Sequence, residues 1–320
     1  MLTAVITFRN EGDMLVDTVA SIRETSGSAV SIHLINDGSN DGYDYRAVAE
    51  CYSCRYDFFE HSRGPAVNRN FGVDKALTPY VICLDAHMRF YQSDWHERVI
   101  AAIQSDPRAL YCTVSRPLKP DASRAGGADG HGAFLGFEST ERLFLAEWNT
   151  VPLSHDPYPK IPLPLGATYA FDAGFFKEIG GYIGLQQYGG EEAFAGMKAW
   201  MMGGSCRLIR DVTIGHIYRS IQERPWQNNS SCYLFNRIML VATLMPEQDL
   251  DTYFTQFSDA SGYQNAVKIF REHEGFIKNL RHYLQDKKVY DADYFFEINK
   301  AFLENHNLEE YFAEALGECS

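Results

Sequence analysis

The sequence predicts an α/β fold: a mostly parallel central sheet flanked by helices, continued by a helical C-terminal extension. Two observations carry that expectation. Up to about residue 100, short β-rich runs alternate with stretches whose apolar residues recur at helical spacing. From Trp226 onward the segments CYLFNRIMLVATL, YQNAVKIFREHEGFIKNLRHYLQ and YFFEINKAFLE read as amphipathic helices. The expected division is therefore residues 1–225 and residues 226–320.

The elements follow in order. TAVITF (3–8) is a strand that closes on Arg9 and Glu11. DMLVDTVASIRE (13–24) places Leu15, Val19 and Ile22 on one helical face, with Asp13 as the expected N-cap. SIHLIN (31–36) is a second strand, ended by the turn-rich DGSNDG, and RYDFF (55–59) is a third. GPAVNRNFGVDKAL (64–77) reads as a helix entered through Gly64 and Pro65. YVICL (80–84) is apolar throughout, as a strand covered on both faces must be. Ligands of such sheets sit beyond the carboxyl ends of the strands, where Arg9, Asp37, Asp85 and His87 fall. The Pro-, Gly- and Asp-rich stretches 115–134 and 152–166 are expected to be long loops over the site. EEAFAGMKAWMMGG (191–204) returns to helix, with Phe194, Met197, Trp200 and Met201 on one face and Gly203-Gly204 as the stop.

Composition narrows the function. In 320 residues, 29 Lys and Arg face 42 Asp and Glu, a formal charge of −13, which opposes nonspecific binding to nucleic acid or anionic lipid. Seven scattered cysteines form no even framework, so disulfides are not expected and a reducing compartment is. Cys51 and Cys54 make a CxxC with no second pair at zinc-finger spacing. The apolar run at the N-terminus is too short to cross a bilayer, so the expectation is a soluble, cytoplasmic protein without a membrane span.

Several ordered segments then carry a family likeness: TFRNEG, INDGSNDG, GPAVNRNFG, CLDAH, GATYAFDAGFFKEIGGY, YGGEE and WMMGGSCRLIRDVTIGHIYR, between Leu2 and about Arg219. In order and spacing the sequence resembles the nucleotide-sugar glycosyltransferases of the GT-A (Rossmann-like) fold. The likeness is nearest to the polypeptide N-acetylgalactosaminyltransferases and their bacterial family 2 relatives. The resemblance implies a metal held by Asp85, His87 and His216, Mn²⁺ with Mg²⁺ as the alternative; one carboxylate and two imidazoles suit Mn²⁺ better than Ca²⁺. Read alone, Asp85 is a turn former and His87 a loop histidine.

By the same resemblance Arg219 contacts a diphosphate, and Thr7, Arg9, Glu11 and Asp37 line a nucleoside pocket, with Glu11 the member most open to a purely structural reading. Arg69 contacts the sugar, Gly166 and Ala167 face its ring, and Ala167 stands where the family has glycine. Trp226 lies over the donor or packs. Glu191 binds sugar hydroxyls, while Glu192 replaces the family's asparagine or, as in inverting relatives, acts as general base. The implied reaction is transfer of a hexose, GalNAc or GlcNAc, from a UDP-sugar donor to a hydroxyl of an acceptor peptide, glycan or small molecule. Retention is favoured by the longer similarity. The alternatives are an inverting enzyme with Glu192 as base and a nucleotide-sugar binding protein without activity. A nucleotidyltransferase is disfavoured, because TFRNEG supplies no Gly-rich loop with Arg and Lys. The membrane anchor and lectin domain of the animal enzymes have no counterpart in the 320 residues, so the acceptor is not expected to be read through a lectin.

Overall fold

The computed structural model describes residues 1–136, 143–153, 156–219 and 229–317. The chain opens with β1 (Leu2–Phe8), α1 (Asp13–Ser26), β2 (Val30–Asp37), α2 (Tyr45–Cys51), β3 (Arg55–Phe59), α3 (Pro65–Asp74) and β4 (Tyr80–Leu84). These four strands are parallel in the order β3-β2-β1-β4, with strands consecutive in sequence joined through a helix. Every residue of LTAVITF in β1 is buried, because both faces of the strand are covered. The cover is close: a Cβ placed on Gly72 of α3 would lie 2.3 Å from Val5 Cγ1, so only glycine lets this helix sit on β1.

Next come β5 (Met88–Phe90), α4 (Trp95–Ser105), β6 (Ala109–Leu118), β7 (Ala133–Leu135), β8 (Ala146–Trp148), β9 (Thr168–Asp172), α5 (Ala173–Glu178), α6 (Glu191–Met201) and β10 (Ser205–Ile217). They extend the sheet to eight strands, in the order β3-β2-β1-β4-β9-β6-β10-β5, and β7 and β8 pair separately. Four pairings are parallel and three antiparallel, since β9 runs against both β4 and β6, and β10 runs against β5. The sheet is therefore mixed, with parallel pairing in the majority.

Two apolar cores lie on its two faces. One gathers Ala4, Ile6, Ile82 and Leu84 with Leu15, Val19, Trp95 and Val99 of α1 and α4. The other joins Val5, Val81 and Phe171 of the sheet to Phe194 and Trp200 of α6, and continues into the C-terminal helices. Those helices are α7 (Ser230–Leu244), α8 (Leu250–Phe257), α9 (Tyr263–Glu272), α10 (Glu274–Lys287), α11 (Ala292–Asn305) and α12 (Glu309–Gly317). Ile238, Leu280 and Phe295 extend the same core. The expected division at 225/226, Trp226 and Cys319 all lie outside the described residues. Among the described residues no helix is long and apolar enough to cross a membrane, and six cysteines are free thiols.

Local expectations are corrected at three places. Asp13 is the first helical residue rather than the N-cap, which is Gly12, and its carboxylate instead accepts a bond from Tyr43 Oη at 2.7 Å. The helix expected over 64–77 ends at Asp74, with Gly64 before it and Pro65 as its first residue. Residues 161–165 are not surface loop: Ile161, Leu163 and Leu165 are fully buried. Leu163 exchanges backbone bonds with Ala133 at 2.9 Å each way, and Ile161 N–H donates to Cys206 at 3.0 Å. Pro162 and Pro164 fall at the alternate positions, so their missing N–H groups break no such bond.

Candidate active site

Strand register explains how distant residues meet. Chain leaves β4 at Leu84, turns through Asp85, Ala86 and His87, and re-enters the sheet as β5. β5 pairs antiparallel with β10 so that Met88 faces His216, and Ile217 N–H donates to His87 O at 3.1 Å. The β6–β10 register shifts between Ile209 and Thr213, a bulge that re-aims the end of β10 toward this turn. As a result the His87 and His216 rings lie 4.9 Å apart, and one ligand atom each from Asp85, His87 and His216 fall within 4.8 Å of one another. Among the described residues this is the group of three His, Cys, Asp or Glu able to hold a metal ion, and it does not include Cys51 or Cys54.

The donors suit a cation. Both ring nitrogens of His216 are buried and make no hydrogen bond, although Nε2 lies 3.4 Å from Asp85 Oδ2. Burial lowers the His216 pKa against the pull of Asp85, so the ring stays neutral and keeps a lone pair for a ligand. Burial alone would raise the pKa of Asp85. The nearby His216 ring and the charge of Arg69 outweigh that and hold it far below the ordinary carboxylate range.

Around the trio stand two paired cations. Arg69, buried in α3, places Nη2 2.9 Å from Asp85 Oδ1 and Nη1 3.7 Å from Glu191 Oε1, with its guanidinium 4.9 Å over the Tyr169 ring. Arg219 Nη2 reaches both oxygens of Glu11 at 2.7 Å and His87 Nδ1 at 2.6 Å. Burial would raise the Glu11 pKa, but His87 and Arg219 keep it lowered. Glu11 thus holds the end of β10 against the start of the chain while also lining a cleft.

That cleft is lined by Thr7, Arg9, Glu11 and Asp37 and runs to Arg69, Asp85 and His87. A second cleft begins at those last three residues and includes His216, Arg219, Gly166, Ala167, Glu191 and Glu192. Apart from Trp226, which lies outside the described residues, the residues singled out from sequence for donor, metal and catalytic roles therefore line one depression whose two halves join at Arg69, Asp85 and His87. Asp37 accepts from Ser62 Oγ and the Arg63 N–H, both at 2.7 Å, and from the Gly64 N–H at 3.0 Å, so it shapes the entry to α3. The turn after β2 is instead capped by Asn36, whose Oδ1 accepts from Ser39 N–H at 2.8 Å. Asn70 packs, accepting from Tyr182 N–H at 2.9 Å.

The two glutamates at the start of α6 differ. Glu191 is 2% exposed, accepts from Gly189 N–H at 2.9 Å, and has its pKa pushed up to about 7 by burial and then by Glu192, despite Arg69. Glu192 Oε1 accepts from Tyr169 Oη at 3.0 Å, and a Cβ on Gly166 would lie 2.5 Å from that same oxygen. Gly166 is small because Glu192 needs the space. Ala167 carries φ = 87°, a conformation costly for any residue with a Cβ, and its carbonyl accepts from Asp85 N–H at 3.2 Å.

Sequence reasoning passed over Trp148, Tyr169 and Tyr218 as lining residues of the second cleft. Tyr218 follows His216 by two, and its ring lies 4.2 Å from that imidazole and 4.9 Å from Trp148, so strand periodicity could have flagged it. For Trp148, the last residue of the three-residue β8, no local signal existed.

The family model described as glycosyl transferase family 2 matches residues 3–152. N-acetylgalactosaminyltransferase 7 of Mus musculus is 31% identical over 254 residues, 71% of this chain and 37% of the relative. Polypeptide N-acetylgalactosaminyltransferase 4 of Caenorhabditis elegans is 27% identical over 229 residues, 68% of this chain and 38% of the relative. The chain thus spans little more than a third of the length of these relatives. Among solved structures, GalNAc-T7 with UDP, GalNAc and Mn²⁺ superposes with a TM-score of 0.73 at 24% identity, covering 96% of this chain and 57% of that one. TarS 1–349 of S. aureus in complex with UDP-GlcNAc gives 0.55 at 12%, covering 95% and 91%. These likenesses establish the GT-A fold.

Proposed function

We propose, from the match of residues 3–152 to the glycosyl transferase family 2 model, that the protein transfers a hexose, GalNAc or GlcNAc, from a UDP-sugar to an acceptor hydroxyl. The single observation that carries the reading is the meeting of Asp85, His87 and His216 where the two clefts join. A cation bound by these three, Mn²⁺ before Mg²⁺, supplies positive charge to a departing diphosphate. In this reading Thr7, Arg9, Glu11 and Asp37 receive the nucleoside, and Arg219 offers its guanidinium to the phosphates. Arg69, Gly166, Ala167 and Glu191 hold the sugar, with Arg69 fixed by Asp85 and Glu191 so that it needs no reorganisation on binding. The catalytic unit is residues 1–225 and the helices of 226–320 are its extension. Six free thiols support a reducing, cytoplasmic setting.

Retention is the favoured stereochemistry, with the diphosphate oxygen receiving the acceptor proton on the face the leaving group vacates. A second reading has one supporting observation. Glu192 lines the second cleft beside Trp148 and Tyr218, where it could take a proton from an acceptor on the opposite face. The acceptor is a peptide, a glycan or a small molecule. The test is to incubate the protein with Mn²⁺ and a panel of UDP-sugars and to follow hydrolysis, with NMR of the anomer first released. Release of the α-anomer from an α-linked donor supports retention, and release of the β-anomer supports Glu192 as base. A panel left intact over days would reduce the protein to a binder.

A further inference from the structure

We propose that the face of α7 formed by Asn229, Tyr233 and Asn236 is a working part of the donor site, with Asn236 as a positioning residue for the loop that spans both clefts. The inference rests on reading those clefts as the donor site. The loop is Gln186 to Gly190, immediately before Glu191. Gln187 and Tyr188 line the first cleft, and Tyr188 lines the second as well. Its backbone takes three left-handed turns in four residues, with φ of 52° at Gln187, uncommon for a residue with a Cβ, and 110° and 86° at Gly189 and Gly190, which glycine permits. Such a segment keeps one shape only if its surroundings dictate it.

Asn236 dictates it. Its side chain is 1% exposed, its Oδ1 accepts from Gln186 N–H at 2.8 Å, and its Nδ2 donates to the carbonyls of Gln186 and Gly189, each at 2.8 Å. The amide can be placed only this way round, because the N–H needs an oxygen and the two carbonyls need the NH₂. Both ends of the Gln187-Tyr188 pair are thereby tied to one buried side chain. Along the same face of α7, a Cβ on Gly189 would fall 2.1 Å from the Tyr233 ring, so the ring packs directly on the loop. Asn229, the N-cap of α7, itself lines the first cleft. Residues 229, 233 and 236 share one helical face. Past the loop, Gly189 N–H donates to Glu191, so the clamp also fixes the carboxylate that pairs with Arg69.

The test uses the full chain, UDP and Mn²⁺. Asn236→Asp preserves shape but turns a carboxylate toward two carbonyls, so it separates a hydrogen-bonding clamp from mere space filling. It is expected to weaken UDP binding about tenfold or more, as loss of one to two net hydrogen bonds implies. The UDP-sugar KM is expected to rise more than kcat falls, with faster amide hydrogen exchange confined to residues 186–190. Lys278→Ala, at an exposed i,i+4 pair on α10, should change none of these. A folded Asn236→Asp with wild-type UDP affinity and wild-type exchange in the loop overturns the proposal. Should neither Asn236→Asp nor Asn236→Ala fold, the wild-type protein decides: the Gln186 amide must be protected against exchange, and free exchange there overturns the clamp. If the wild-type protein binds no UDP with Mn²⁺, the proposed function fails, while the exchange measurement still decides whether α7 holds the loop.

Discussion

Replacing Arg69 by methionine removes the cation that buried Glu191 shares with part-buried Asp85, and the cost follows from the structure. Arg69 is 5% exposed, 2.9 Å from Asp85 and 3.7 Å from Glu191, so this is a buried ion pair rather than a surface one. Losing one partner of such a pair costs about 3–5 kcal/mol, because the remaining charge stays buried without compensation. Methionine replaces most of the stem, so little of that loss is packing. The penalty depends on pH. Glu191 has its pKa pushed up to about 7 even with Arg69 pulling it down, so loss of Arg69 raises it further: at pH 6 Glu191 is already protonated and loses little, whereas at pH 8 it must either stay charged and unpaired or take up a proton at a cost. Arg69→Met should therefore lose about 3–5 kcal/mol at pH 8 and less at pH 6. Adding Glu191→Gln removes the stranded charge and should recover about 1–3 kcal/mol at pH 8. Urea unfolding of the four proteins of this cycle in chelator, at both pH values, measures every term. A single variant within about 1 kcal/mol of wild type, or a double variant no more stable than Arg69→Met, would refute the role given to Arg69.

Four further outcomes are expected. Glu191 should contribute a loss of roughly 3 kcal/mol as pH rises from about 4.5 to about 7, because its folded form keeps a proton that the unfolded chain has released; His33, His131 and His216, with lowered pKa values, act in the opposite sense, so the difference between wild type and Glu191→Gln across that range isolates it. Asp37→Ala strands the buried donors of Ser62, Arg63 and Gly64, so it should cost about 2–3 kcal/mol in urea unfolding and lose UDP affinity as well. Ala167→Gly should raise stability by about 1 kcal/mol, the relief of φ = 87° exceeding the added flexibility of the unfolded chain, with a melting point higher by about a degree or two. Glu192→Gln should leave turnover within about tenfold of wild type if the sugar is retained, and lower it about 10²–10⁴-fold if Glu192 is the base.

The first four strands were legible because three of them are short, largely apolar runs and β3 is a short aromatic-rich one, all set off by turn residues, and their parallel pairing follows from the helices between them. The far half of the sheet was not. β5 is three residues long, and its place beside β10 depends on a register shift at 210–212 that no local pattern encodes. The buried run through Ile161, Leu163 and Leu165 carried a strand period of two, but the interleaved prolines disguised it as loop. In the site, motif residues such as Asp85, His216 and Arg219 could be named because their segments keep a family's order. Asn236 could not be named from sequence, because its bonds cross to Gln186 and Gly189, about 50 residues away, and nothing around it breaks the helical pattern. Ala167 was noticed as a departure from glycine, yet its left-handed backbone, and so its cost, shows only in the structure.

The most direct measurement is calorimetric titration of UDP into the protein with and without Mn²⁺, repeated for Asp85→Ala and His216→Ala. The metal reading requires binding that depends on Mn²⁺ in the wild-type protein and vanishes in both variants, with their thermal unfolding still cooperative. Equal UDP affinity with and without the metal, or unchanged metal-dependent binding in either variant, would contradict it.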